Sequence, residues 1–86
     1  MTEQEMLRLV RSYTRANRWE VDQMHGQPRM QQRGLSFNDV EHALLNATRC
    51  RVQPNGRWKL ESKDLDGDDL TIIAVVDDGV LVITLF

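Results

Sequence analysis

At Arg49 the chain changes its periodicity. Ahead of that residue apolar side chains recur every three to four positions; behind it they alternate between turn signals. Few single-core folds accept such a division. Helices first and sheet second describes an α+β domain, in which helical stripes are buried against a face of an antiparallel sheet. Eighty-six residues suit one such domain, residues 1–86. A chain of this length buries only about 60% of its unfolded surface, so the core must draw on every element.

In the helical half, Thr2 followed three residues later by Glu5 has capping-box spacing. Met6, Val10 and Tyr13, widened by Leu7 and Leu9, then predict a helix from Thr2 to about Ala16. Trp19 to Asp22 alternates and reads as a short extended piece. Pro28 suits the first turn of a second short helix that Gly34 closes. Ser36, with Asp39 three residues on, starts a third helix whose buried stripe is Phe37, Val40, Leu44 and Ala47. In the sheet half, Asn55-Gly56, Asp66-Gly67 and Asp77-Asp78-Gly79 are hairpin signals. They separate four strands, Arg49 to Gln53, Arg57 to Leu65, Leu70 to Val76 and Val80 to Phe86. The expectation is three helices packed on a four-stranded antiparallel meander. Its last two strands, almost continuously apolar, would be central and covered by helices on at least one face.

Composition bounds the function. A formal net charge of -2 argues against a general nucleic-acid binder, yet the charge is unevenly placed. Residues 1–63 hold all eleven Lys and Arg against seven acids, and residues 64–86 hold six acids and no base. Such asymmetry permits a local anion site, because clefts focus local charge rather than the total. Cys50 has no partner for an intrachain disulfide and reads as a small core residue. No apolar run approaches the ~20 residues that cross a bilayer. Glu3 and Glu5 stand where a secretory leader would be basic, so a soluble cytoplasmic protein is expected. His25, His42 and Cys50 are too few for a zinc set, and His42, off the apolar stripe, reads as a surface residue. Asp64-x-Asp66-Gly67-Asp68-Asp69 lacks the late bidentate Glu of a calcium loop and reads as a solvated turn. No metal or cofactor is expected.

What remains is a set of cations, His25, Arg29, Arg33, Arg57, Lys59 and Lys63. Arg29 and Arg33, four apart, share a helical face and can grip one anion. Arg57, Lys59 and Lys63 fall on one strand parity and project from one sheet face, with Trp58 and Leu60 on the other; Glu61 shares the cationic parity and tempers it. These cations can serve merely to keep a sheet edge soluble and unpaired. They also match a chemistry: cleavage of RNA by its own 2′-hydroxyl needs a base, an acid and a cation, and neither a metal nor a covalent intermediate.

The segment His25 to Leu45 resembles a signature of small bacterial and phage proteins, His-Ala-x-x-Arg-Met-x-x-Arg-Gly-Ile-Ser, followed by an acidic-apolar helix and a β-meander ending in a Val-Ile-Thr-type strand. His25, Arg29, Met30, Arg33, Gly34, Ser36, Val40 and Leu44 match it, and Gly67 to Phe86 resembles the closing hairpin. Gly26 stands where the signature has Ala, and Pro28 stops a regular helix from running back through His25. On these residues the chain is similar to the RelE/MqsR-like ribonuclease toxin superfamily. The resemblance implies helices on a twisted antiparallel sheet, metal-independent endonuclease activity on mRNA, and a cognate antitoxin as partner. It would make His25 the general acid or base, Arg29 and Lys59 further catalytic residues, and Arg33, Arg57 and Lys63 the RNA-binding set. Two other classes fit the same fold: a non-catalytic protein-binding module, and an RNA-binding regulator that does not cleave.

Overall fold

A computed structural model describes residues 1–86 and runs α1 (Glu3–Arg15), β1 (Trp19–Val21), α2 (Gly26–Arg33), α3 (Phe37–Asn46), β2 (Arg49–Val52), β3 (Trp58–Lys63), β4 (Asp69–Val76), β5 (Val80–Leu85). The class is α+β with three helices, but the sheet is not a four-stranded antiparallel meander. It has five strands in the order β1-β5-β4-β3-β2. The added strand is the short piece after α1, and it pairs parallel to β5, Trp19 against Val80 and Val21 against Val82. Three residues are too few to carry a visible period, and the partner lies some sixty residues on, so local pattern alone cannot show this pairing. The other three pairs are antiparallel, and the two apolar strands, β4 and β5, are central.

Two of the three helices, α1 and α3, start where a side chain satisfies their free amides, whereas α2 has no side-chain cap. Thr2 and Glu5 form a reciprocal capping box on α1, and Ser36 and Asp39 do the same on α3. Gly34 ends α2 at φ 67°, the left-handed conformation that a Cβ strains. Nothing lies within 4 Å of a Cβ added there, so Gly34→Val should cost about 1 kcal/mol from backbone strain alone. Arg33→Ala removes one exposed hydrogen bond and should cost less; thermal midpoints of the two variants check the order.

All eight elements contribute to one cluster of buried apolar residues. Val10, Val40, Ala43, Leu44, Leu60, Ile72, Ala74, Val82 and Leu85 are its members with no exposed surface. On α3 the buried set is Val40, Ala43 and Leu44. Phe37 is not in it: the ring is 53% exposed and tilts against Trp19, with centroids 6.4 Å apart, because the first residue of α3 overhangs the sheet edge. His42 is half-buried rather than a surface residue. No helix is long and apolar enough to cross a membrane.

Asp39 joins the helical half to the sheet half. Its carboxylate accepts the Ser36 amide at 2.9 Å and the Leu65 amide of the β3–β4 hairpin at 3.1 Å. Those backbone bonds, Ser36 first, hold its pKa below the ordinary 3.8. A carboxyl depressed in the folded state stabilises above its unfolded value and loses that contribution as pH falls through the folded value. The thermal midpoint should therefore hold steady down to about pH 4 and drop below it. Asp39→Asn should flatten the part of that drop which Asp39 contributes, as read by melts at successive pH values.

Candidate functional site: the helix-free face of the sheet

The core cluster puts Leu60, Ile72, Ala74, Val82 and Leu85 on the side of the sheet that the helices cover. Strand alternation then turns Lys59, Glu61 and Lys63 to the other side. Directly opposed residues of an antiparallel pair share a face, so the register fills in the rest. Arg51 lies opposite Lys59 and Arg49 opposite Glu61; Asp69 lies opposite Lys63, Thr71 opposite Glu61 and Ile73 opposite Lys59. Farther along, Val75 opposes Leu81. The helix-free face thus divides into a charged half on β2 and β3 and an apolar band of Ile73, Val75 and Leu81 on β4 and β5.

Within the charged half, two cations are already matched. Lys63 Nζ donates to Asp69 Oδ1 at 2.7 Å, which raises the lysine pKa and lowers that of the aspartate. Arg49 Nε donates to Glu3 Oε2 at 3.1 Å. Arg51 and Lys59 make no ion pair. Like charges directly opposite in a ladder destabilise by up to ~1 kcal/mol, so the fold gains nothing from this juxtaposition. Arg57 lies just before β3, not within it; its amide donates to Asn55 Oδ1 at 3.0 Å in the hairpin turn. Arg57 therefore sits at the end of the stripe, and the strand proper carries Lys59 and Lys63.

His25, Arg29 and Arg33 belong to α2, which packs against β5. His25 is the residue before the first helical turn. Asp22 Oδ2 accepts its amide at 2.8 Å and lies 3.1 Å from its ring Nδ1; the amide bond first, then the ring, lowers the Asp22 pKa. In the neutral ring this carboxylate places the proton on Nδ1 and leaves Nε2 bare, on a side chain 70% exposed. Arg29 Nε donates to the Leu85 carbonyl at 3.2 Å and Arg33 to the Asp69 carbonyl at 3.3 Å. Both arginines thus reach one end of the sheet and tie α2 to it, each using one of its five guanidinium donors.

The structure brings Lys59 together with Arg51 and Glu61, and Lys63 with Asp69. It does not bring His25 to Lys59: β4 and β5 stand between β3 and the helix, which is about 10 Å across the sheet from β3 to β5 alone. Arg49 and Arg51 alternate in sequence as Lys59 and Lys63 do, but only the β2–β3 register reveals that the two cationic rows meet.

Two other groups are accounted for locally. Cys50 is 2% exposed, and burial, helped by Glu3, pushes its thiol up to about 11, so it is not a thiolate near neutral pH. Oxygens of Asp64, Asp66 and Asp68 lie within 4.8 Å of one another. The buried Asp64 Oδ1 accepts both the Asp66 and the Asp68 amides at 2.9 Å, the bonding of a tight turn.

No protein-family model, no curated protein and no solved structure matches the chain.

Proposed function

We propose that this protein is a metal-independent RNA endonuclease, the toxin of a toxin-antitoxin pair, which takes RNA across the charged half of its helix-free face. The observation that carries this reading is Arg51 set directly opposite Lys59 with no carboxylate on either. Two unpaired cations about 5 Å apart at the backbone are a cost in the free protein, and a phosphodiester between them removes it. The resemblance of the His25 to Leu45 segment supports the same class of activity.

The chemistry follows from what this face holds. The RNA 2′-oxygen bonds to phosphorus as its proton passes to Glu61, two residues along the same face from Lys59. Arg51 and Lys59 neutralise the non-bridging oxygens as charge accumulates on them. The bond from phosphorus to the 5′-oxygen then breaks, and that oxygen takes a proton from the Lys59 ammonium, leaving a 2′,3′-cyclic phosphate and a 5′-hydroxyl. Arg57 holds the strand on one side, and Lys63 holds it on the other by exchanging Asp69 for a phosphate. His25 and Arg29, on α2 beside β5, and Arg33, which reaches the Asp69 carbonyl of β4, meet the strand outside the scissile group.

Binding is tested by fluorescence anisotropy of a labelled 20-nucleotide RNA titrated at several salt concentrations. Arg51→Ala should weaken binding and reduce the magnitude of the slope of log affinity against log salt by about 0.7, the value for one phosphate contact on a single strand. An unchanged slope would remove this face from RNA recognition.

A further inference from the structure

We infer that the cavity beside β1 is a docking site for an extended, basic segment of a protein partner. The cavity, of about 570 Å³, lies where the edge strand, the β1–α2 turn and the start of α3 meet. Trp19, Met24 and Phe37 supply its apolar wall, and Met24 and Phe37 are 80% and 53% exposed. Glu20 and Asp22 are its only charged side chains. An acidic cavity with aromatic faces selects a cation, since an ammonium or guanidinium gains both from the carboxylates and from the π faces.

The backbone beside the cavity says that the cation comes on a peptide. The two edges of the sheet are finished differently. At the β2 edge, Glu3 Oε2 accepts the outward Cys50 amide at 2.9 Å and so stoppers the strand. At the β1 edge the parallel register turns Glu20 toward β5 and leaves the peptide groups of Trp19 and Val21 outward. Of these, the Val21 carbonyl is met by Gln27 Nε2 at 3.2 Å. The indole N–H of Trp19, in the cavity wall, is buried with no acceptor. An added strand supplies main-chain partners for the edge and alternate side chains for the cavity. A second copy of this chain is a poor occupant, because pairing two β1 edges would set Glu20 close to its own counterpart. The site is acidic and lies at the sheet edge opposite β2, so the inference stands apart from the RNA reading.

The test is selection of a displayed random dodecapeptide library on the intact wild-type protein, followed by anisotropy titration of the enriched peptides. Enriched peptides should carry Lys or Arg at alternate positions, bind Glu20→Lys at least tenfold more weakly, and shift the Trp19 indole N–H resonance. Enrichment of neutral or acidic peptides, equal affinity for Glu20→Lys, or no enrichment at all would overturn the inference. A wild-type dimer in sedimentation that Glu20→Lys alters would overturn it too, assigning the edge to a second copy.

Discussion

Gly26→Val is expected to destabilise the protein severely, and by more than Gly34→Val at the other end of α2. A Cβ at this position would lie 2.5 Å from Val21 Cγ1, 3.1 Å from the Val82 carbonyl oxygen and 3.3 Å from that of Ile83. Val21 is 4% exposed and β-branched, so its methyl has one favoured rotamer and cannot swing away. The two carbonyls belong to β5, and the Val82 oxygen accepts the Asp22 amide at 2.8 Å. Overpacking of this kind costs about 1–3 kcal/mol for one methyl; valine adds two more carbons, and each kcal/mol lowers the midpoint of a domain this size by roughly 4–8 °C. Gly26→Ala should fall between wild type and Gly26→Val, and Gly34→Val, with open space around it, should do less harm than Gly26→Val. Thermal melts followed by circular dichroism give the ranking. A Gly26→Val midpoint equal to that of wild type would show that α2 can stand off from β5.

That glycine illustrates what could and could not be read from the amino-acid order. A glycine at position 26 is visible in the sequence, but its reason, the close approach of α2 to the β1–β5 pair, exists only in three dimensions. The hairpins were legible because their chemistry is local: Gly56 and Gly67 adopt φ of 82° and 84°, and Asp78 with Gly79 supplies the third positive-φ turn. The caps at Thr2 and Ser36 were legible for the same reason. β1 was visible as an extended piece and not as a fifth strand, since its partner is remote in sequence. Phe37 has the spacing of a core residue, and only the position of α3 at the sheet edge exposes it.

The candidate site divides in the same way. Parity along β3 was enough to place Lys59 and Lys63 on one face, whereas Arg51 required the cross-strand register. Arg29 and Arg33 share a helical face as their spacing demands, yet their contacts are with strand carbonyls, which no local pattern encodes.

Lys59→Ala should lower RNA cleavage by a hundredfold or more. Losing one preorganised donor at a developing oxyanion costs about 3–4 kcal/mol. Removing a partly buried cation that has no ion-pair partner in the free protein should leave stability unchanged or slightly higher, since its repulsion with Arg51 goes with it. Lys59→Arg separates charge from proton transfer. It keeps the cation but holds its proton far more tightly, so binding should survive while cleavage falls.

The most direct measurement incubates purified, folded and partner-free protein, in chelator, with a long RNA and identifies the ends of any fragments. Wild type should leave 2′,3′-cyclic phosphate and 5′-hydroxyl termini, and Lys59→Ala should leave the RNA intact under the same conditions. Uncut RNA at high wild-type excess, or equal cutting by Lys59→Ala, would contradict an endonuclease centred on Lys59 and favour a protein-binding module using the partly exposed Val75 and Leu81.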